Sequence, residues 1–266
     1  MTEGPEATYL ANYISKRFLK KRLRNIKIVA GRYKTHGPPH GLAAFLKQSP
    51  TRLIEVIKKG KVIFLIFDNG WSLIAKMGMV GWMYAEGDKP FHKSEPHVVF
   101  DFEGDDLIFS DFRNFGTLTF TNNSAEVVEE IEHIAPDILE TTFAEIEKRI
   151  PNLKGSNRIE DVLMDQTGLF SGIGNIIKSE ALYSSHISPK RHLSQLTKAN
   201  LRIIFMEARA YARRVVRILD SAKVHSEEYQ ALQKVYQRTE DPQGRRVHTY
   251  KSASGRTTFW VPEVQK

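Results

Sequence analysis

The sequence predicts an α+β fold, in which a β-rich first half precedes a helical second half and a terminal β-hairpin. Three observations lead to this class. Short apolar, β-branched runs separated by turn residues recur up to about residue 121. From about Asn122 onward the apolar residues follow helical spacing. After Tyr236 that spacing stops, and two short apolar runs flank a turn.

The first half is expected to open with a helix and to continue as strands. Pro5 stands where the first helical turn tolerates proline, and apolar residues follow at helical spacing as far as Phe18. Hairpin turns are indicated at Asp68-Asn69-Gly70 and at Glu103-Gly104-Asp105-Asp106. This density of strands and turns indicates a sandwich or a barrel. The predicted strands are 61–67, 71–77, 98–102, 107–109 and 115–121, and the strand pattern begins at Ile26.

The second half is expected to be helical and to end in a hairpin around the turn Ser252-Ala253-Ser254-Gly255. Ser226 is a suitable N-cap for the last helix. The other predicted helices are 127–134, 159–165, 175–183 and 201–219, and the hairpin strands are 247–250 and 257–261.

The composition indicates a polyanionic partner and removes several kinds of chemistry. Among 266 residues, 39 Lys and Arg exceed 31 Asp and Glu, giving a net charge of +8. Such a charge is typical of nucleic-acid-binding proteins, although a basic enzyme remains an alternative. The chain has no cysteine, which excludes disulfides, thiolate nucleophiles, iron–sulfur clusters and Cys-type zinc sites. Without a membrane-length apolar run or a secretory signal, a soluble intracellular protein is expected.

Six short segments occur in one order along nearly the whole chain. One of them, Gly172-Ile173-Gly174-Asn175, is by itself either an anion-binding helix start or a simple turn between helices. The six are Thr2–Glu6, Lys59–Lys61, Met77–Gly81, Asp111–Gly116, Asp165–Gln166 with Gly172–Asn175 and Glu180, and Gly255–Thr257. This order resembles the Fpg/Nei (formamidopyrimidine-DNA glycosylase/endonuclease VIII) family of DNA glycosylases.

The resemblance implies a fold and three domains. An N-terminal helix plus β-sandwich catalytic domain would cover 1–122, and a helical DNA-binding domain with a helix–two-turn–helix element would cover 137–235. A finger hairpin would follow over 236–266.

The resemblance also implies three catalytic residues, Thr2, Glu3 and Lys61. In this family the α-amine exposed by loss of the initiator methionine attacks C1′ of the sugar and forms a Schiff base. That amine is normally a proline; here it belongs to Thr2. Glu3 would move protons and Lys61 would reach the lesion's sugar and phosphate. Taken without the resemblance, Glu3 is a first-turn glutamate near a helix dipole and Lys61 a surface lysine at a strand end.

Two further groups of residues follow from the resemblance. Met79, Arg113 and Phe115 would fill the space left by a flipped base, a complete triad that indicates duplex substrates. Met79 and Phe115 could instead be core residues at strand ends. DNA phosphates would be bound by Asn175, Arg256 and Lys76, the last standing where the family often has histidine. Arg256 could also be a solvent-exposed turn arginine.

The terminal hairpin resembles the zincless finger of some endonuclease VIII-like enzymes. Val261 and Val264 stand where zinc-bearing members carry cysteines, and His248 with Glu263 cannot complete a four-ligand site. No metal or other cofactor is therefore expected. The hairpin would be held by packing of Val247, Phe259, Trp260 and Val261.

The implied function is a bifunctional DNA glycosylase/AP lyase of base excision repair. The purine-specific branch has a long glycine-rich lid, whereas the segment 220–228 is short, so oxidised pyrimidines and hydantoins are expected rather than 8-oxoguanine. Partners would be damaged duplex DNA, with single-stranded DNA as a further substrate, and the protein would act as a monomer wherever the genome resides. The alternative from another class is a non-catalytic lesion- or structure-specific DNA-binding protein.

Overall fold

The chain folds into two compact units. The computed structural model describes residues 2–88, 94–221 and 227–266. The first unit contains Thr2 and Glu6–His133, and the second contains Glu3–Pro5 and Ile134–Lys266. The N-cap prediction at Ser226, and the part of the lid prediction that covers 222–226, lie outside the described residues. The division into 1–122, 137–235 and 236–266 stays a prediction.

The α+β class is confirmed by the order of elements. Up to His133 these are α1 (Gly4–Phe18), β1 (Arg22–Ile28), α2 (Arg32–Thr35), α3 (Leu42–Leu46), β2 (Thr51–Lys59), β3 (Val62–Phe67), β4 (Ser72–Lys76), β5 (Trp82–Ala85), β6 (Val98–Phe102), β7 (Asp105–Ser110), β8 (Thr117–Thr121) and α4 (Ser124–His133). Beyond it lie α5 (Phe143–Glu147), α6 (Ile159–Met164), α7 (Asn175–Ser184), α8 (Lys198–Asp220), α9 (Glu227–Ala231), β9 (His248–Lys251) and β10 (Thr257–Trp260).

The first eight strands form an antiparallel sheet in the order β5-β7-β6-β1-β2-β3-β4-β8. Its two four-stranded halves are joined by β1 and β2, which share only the pairs Arg22–Arg52 and Leu23–Thr51. Side chains of both halves pack with Leu10, Ile14 and Phe18 of α1 in one core. The predicted helix followed by a β-sandwich is confirmed.

Several element boundaries differ from the prediction. β2 was missed because charged residues interrupt its apolar pattern, and β5 and α5 were missed because each is very short. β1 begins at Arg22, not Ile26, within a basic run that lacks apolar alternation. The second hairpin turn spans only Glu103 and Gly104, since β7 already begins at Asp105.

Helix α7 is the centre of the second unit. Nine of its ten residues are buried, from Asn175 to Tyr183. A helix buried on all sides needs neighbours around its whole circumference, and α6, α8 and β10 supply them. The core around it includes Leu163, Ile177 and Phe205. No helix among the described residues is long and apolar enough to cross a membrane.

Candidate active site

Thr2 lies buried against the loop that follows β4. Only 2% of the residue is exposed. Its main-chain nitrogen donates a hydrogen bond to the Met79 carbonyl at 2.8 Å, and its hydroxyl donates to the Gly81 carbonyl at 3.0 Å. The structure therefore brings the predicted nucleophile to one of the predicted void-filling residues.

The loop 77–81 lies beside the loop 111–116, which carries the other two void-filling residues. Gly78 has a φ of +60°, and a Cβ there would lie 2.8 Å from the Phe115 carbonyl carbon, so a side chain is excluded on both counts. The buried Asp111 carboxylate accepts hydrogen bonds from the main-chain N–H groups of Arg113 and Gly116. These bonds give the second loop its shape.

Arg113 and Phe115 are both exposed, and Met79 is half-buried. Phe115 is 56% exposed, and the Arg113 guanidinium carbon lies 5.6 Å from the centre of its ring. Phe115 is thus not a core residue at a strand end. Phe112 in the same loop is 53% exposed as well, and no role is predicted for it.

The two predicted lysines of the first unit occupy different surroundings. Lys61 lies half-buried in the turn between β2 and β3. Lys76 ends β4, and its Nζ forms an ion pair with Glu130 of α4 at 2.6 Å. The structure therefore joins Lys76 to an acidic side chain rather than leaving its charge uncompensated.

Glu3 is held at the start of helix α7. The residue is 1% exposed, and its two carboxylate oxygens accept the N–H groups of Ile176 and Ile177 at 2.8 and 3.1 Å. These N–H groups have no partner within the helix, and the positive end of the helix dipole stabilises the carboxylate charge. The first-turn interpretation was right about a dipole, but the helix is α7 rather than α1.

Gly174 makes that approach possible. A Cβ at this position would lie 2.2 Å from the Glu3 Oε1 atom. The main chains of the two segments also come close at Gly4, the residue after Glu3. Its N–H donates a hydrogen bond to the Gly172 carbonyl at 2.7 Å. The glycine-rich segment Gly172–Asn175 thus accommodates the N-terminal residues Glu3 and Gly4.

Asn175 and Arg256 are linked through the terminal hairpin. Asn175 is the first residue of α7, and its Nδ2 donates to the Thr257 carbonyl at 2.8 Å. Its Oδ1 has no hydrogen-bond partner among the described residues. Arg256, the residue before Thr257, is exposed at the turn between β9 and β10. Asn175 therefore contacts the hairpin directly, and phosphate binding by either residue stays a prediction.

Two family models match this chain in the same order. The formamidopyrimidine-DNA glycosylase N-terminal domain matches residues 1–118, and the H2TH domain of the same glycosylase matches residues 134–226. The chain belongs to the formamidopyrimidine-DNA glycosylase family. It is a DNA glycosylase of base excision repair.

Curated relatives and solved structures agree with this assignment. A formamidopyrimidine-DNA glycosylase of Acidothermus cellulolyticus is 30% identical over 82% of this chain and 77% of its own length. One of Mycoplasma genitalium is 27% identical over the whole chain and 96% of its own length. Lactococcus lactis Fpg, solved with DNA containing an abasic site, has the same fold, with a TM-score of 0.82 at 22% identity over 99% of both chains. The same protein solved with DNA containing an oxidised pyrimidine gives 0.83 at 22% identity and the same coverage.

The terminal hairpin does not fit the zinc site of the zinc-bearing members of this family. The sequence has no cysteine, and the described residues contain no group of three or more His, Asp or Glu side chains that could hold a metal ion. What packs there is a small apolar cluster of Tyr183, Val235, Val247 and Val261, with Phe259 against it. Trp260 instead lies edge-on to Tyr250, with the Lys190 ammonium 4.6 Å from its ring centre.

A buried polar chain beneath the hairpin was missed by sequence reasoning. Lys178 is fully buried, and its Nζ donates to the Thr258 hydroxyl at 3.0 Å. Thr258 donates in turn to Glu160 Oε2, and the Tyr250 hydroxyl donates to Glu160 Oε1 at 2.8 Å. Glu160 and Lys178 are two of four charged residues on helices α6 and α7, beside Asp161 and Glu180, so the sequence offered no signal that singles them out or pairs them.

Burial lowers the pKa of Lys178 from its ordinary 10.5 to about 8. The negative charges of Glu160, Asp161 and Glu3 oppose this shift, whereas Arg256 adds to it. Desolvation prevails because the ammonium has lost its water entirely.

We predict that Gly174→Ala displaces the Glu3 carboxylate from helix α7. The new methyl group cannot share space with Oε1, so the two charge-assisted hydrogen bonds are lost and unfolding becomes about 1–3 kcal/mol easier. Urea denaturation measures that loss, and amide hydrogen exchange at Ile176 and Ile177 should become faster. Gly155→Ala is the matched control, since the three atoms nearest to its Cβ all belong to Ser194 and lie no closer than 3.2 Å. Unchanged exchange at both amides would contradict the prediction.

We also predict that Lys178 makes the free energy of unfolding vary with pH in the alkaline range. Between pH 8 and 10.5 the unfolded chain binds more protons at Lys178 than the folded chain, so the folded state gains stability as the pH rises. From pH 7 to pH 10 the unfolding free energy should rise by about 2 kcal/mol more in the wild type than in Lys178→Met. Urea denaturation at each pH measures this, with the exposed Lys198→Met as control. Parallel profiles for wild type and Lys178→Met would disprove it.

Proposed function

We propose that this protein is a bifunctional DNA glycosylase/AP lyase that removes oxidised pyrimidines, and hydantoins, from duplex DNA. It belongs in this proposal to the endonuclease VIII-like branch of its family and acts as a monomer. Thr2, Glu3 and Lys61 carry the chemistry. Met79, Arg113 and Phe115 fill the space that the flipped base leaves in the duplex. Asn175, Arg256 and Lys76 bind DNA phosphates.

The observation that carries the proposal is the anchoring of the consecutive residues Thr2 and Glu3. The Thr2 nitrogen is bound by the Met79 carbonyl, and the Glu3 carboxylate is bound by two N–H groups of α7. A chain terminus is ordinarily mobile unless something holds it, and here the holding contacts involve the two groups that the reaction requires. A protein that only binds DNA needs neither a Thr2 nitrogen held in one position nor a buried glutamate as the next residue.

The chemistry follows from an α-amine at Thr2 once Met1 has been removed. An α-amine has an ordinary pKa of about 7.7–8.0 and is therefore partly neutral and nucleophilic near neutral pH. Its nitrogen attacks C1′, the damaged base leaves, and the opened sugar becomes a Schiff base. Glu3 supplies a proton to the sugar oxygen as the ring opens.

Strand cleavage then proceeds by elimination from the Schiff base. Loss of a proton from C2′ expels the 3′ phosphate, and a second elimination expels the 5′ phosphate. Water releases the sugar remnant from the amine. The product is a gap with a phosphate at each end.

Threonine in place of proline changes the nucleophile without removing it. A primary amine also forms an imine, but the fixed ring of proline is absent. In this chain the Thr2 hydroxyl supplies an orienting contact, since it donates to the Gly81 carbonyl at 3.0 Å. We infer that this bond fixes the rotation of the Thr2 side chain, while the bond to the Met79 carbonyl orients the nitrogen.

The preference for pyrimidine lesions rests on the length of one segment. The segment 220–228 is too short for the long lid of purine-specific members. Structures of this fold have been solved with DNA containing an oxidised pyrimidine and with DNA containing 8-oxoguanine. The fold itself therefore admits both kinds of lesion, and the lid is the feature that would separate them.

We predict that borohydride traps this protein on a duplex containing dihydrouracil. Reduction of the Schiff base leaves a covalent adduct, and mass spectrometry of the cross-linked peptide should place it on the Thr2 α-amine. Glu3→Gln should slow base release by about 100-fold or more, the usual contribution of a proton-transfer group. Excision from a matched 8-oxoguanine duplex should be slower than from dihydrouracil.

Each other outcome has a defined meaning. An adduct on Lys61 or Lys178 would keep the enzyme and reject Thr2 as the nucleophile. Tight binding without an adduct, in protein shown by mass spectrometry to lack Met1, would reject the lyase and favour a non-catalytic DNA-binding protein. Faster excision of 8-oxoguanine would reject the lesion preference alone.

We predict that Phe115→Ala slows excision from duplex DNA more than from the same lesion in a single strand. Only the duplex has an orphaned base that needs a stacking partner, and base–aromatic stacking of about 1–3 kcal/mol corresponds to a loss of about 5- to 150-fold. Phe112→Ala is the matched control, because it removes an equally exposed ring from the same loop. Equal losses in both variants, or on both substrates, would reject the void-filling assignment.

A further inference from the structure

The terminal hairpin is attached to the helices by a buried chain of polar groups. Lys178 of α7, Thr258 of β10 and Glu160 of α6 are all 0% exposed and are joined by consecutive hydrogen bonds. Tyr250 of β9 binds the second oxygen of Glu160. The chain therefore reaches both strands of the hairpin and two different helices.

Burying these polar groups costs free energy, so their presence beneath the hairpin calls for a physical reason. Moving an ammonium and a carboxylate out of water is unfavourable unless hydrogen bonds satisfy both groups, and apolar residues of similar size are often as stable. Buried polar groups of this kind select one arrangement because any other leaves a charge unsatisfied. Here the selected arrangement is the position of the hairpin on α6 and α7.

The hairpin depends on these buried hydrogen bonds because its residues cannot bind a metal that would hold it. The apolar cluster holds the far end of β10 through Val261. The start of β10 is held by polar contacts instead, at the Thr257 carbonyl by Asn175 and at the Thr258 hydroxyl by Lys178.

Arg256 directly precedes these two anchored residues. Its own carbonyl accepts the Ser252 N–H at 2.8 Å, which closes the turn. With Thr257 and Thr258 both bound to α7, the backbone of Arg256 has little freedom relative to that helix. Asn175, the other predicted phosphate ligand of the second unit, begins the same helix.

We propose that Lys178, Thr258 and Glu160 are positioning residues that clamp the hairpin onto α6 and α7 and so hold Arg256 where it binds a DNA phosphate. This proposal rests on the phosphate-binding role proposed above for Arg256. The three residues touch no DNA themselves and act through the hairpin.

The test is a double-mutant cycle between Thr258 and Arg256. Thr258→Val keeps the shape of the side chain and removes the hydroxyl that joins Lys178 to Glu160, whereas Thr258→Ser keeps the hydroxyl. The probe is a fluorescein-labelled duplex containing a tetrahydrofuran abasic site, and Kd is measured at one salt concentration. Lys178→Met gives a second, independent break in the chain, with Lys198→Met as the exposed control.

Thr258→Val and Lys178→Met should each weaken binding about tenfold when Arg256 is present and less than about twofold in Arg256→Ala, the pattern of residues acting through one another. Thr258→Ser should restore affinity. Amide exchange in the hairpin of the free protein should be faster in Thr258→Val than in Thr258→Ser.

Three results would overturn the proposal. If Thr258→Val weakens binding equally with and without Arg256, the buried polar residues stabilise the protein and do not position Arg256. Unchanged hairpin exchange in Thr258→Val would show that the chain does not clamp the hairpin. If Arg256→Ala leaves the affinity unchanged, Arg256 does not bind the DNA and there is no phosphate ligand for the polar residues to position. Excision of dihydrouracil by the wild type, assayed in parallel, separates each of these from failure of the proposed function.

Discussion

The hydrogen bonds between the Glu3 carboxylate and the first turn of α7 are the constraint on which the arrangement of the candidate residues in the second unit depends. They satisfy two N–H groups that the helix itself cannot satisfy, and they hold a buried carboxylate whose charge would otherwise be expensive. The same turn begins with Asn175, which contacts the hairpin. One helix terminus therefore orders the N-terminal segment and the segment that carries Arg256. Gly174 is required because no side chain fits beside Glu3.

In the first unit the equivalent constraint lies in two adjoining loops. Asp111 shapes the loop with Arg113 and Phe115 by accepting main-chain hydrogen bonds, which leaves the side chains of both residues outward. The neighbouring loop accepts both hydrogen bonds from Thr2. Thr2, proposed as the nucleophile, therefore contacts the loop of Met79, which lies beside the loop that carries Arg113 and Phe115.

The hairpin illustrates how a two-stranded element can be held in place without a cysteine-based metal site. A metal site would fix the hairpin by a few strong directional bonds. In this chain an apolar cluster and a buried polar chain share that role, the first through Val247 and Val261 and the second through Thr258. Apolar packing tolerates small displacements, whereas a buried charge tolerates very few. The polar part therefore sets the position and the apolar part adds stability.

The sequence by itself determined the α+β class, most of the elements and the order of motifs, because periodicity and turn residues are local properties of the chain. It also determined that no cysteine-based zinc site exists. Only the tertiary structure decided that Glu3 binds α7, that Phe112 and Phe115 are both exposed, and that Lys178 meets Thr258 and Glu160. Partners separated by 80 residues or more leave no trace in local spacing. The same limit hid β2, whose identity as a strand depends on pairing with β1 and β3 rather than on its own charged sequence.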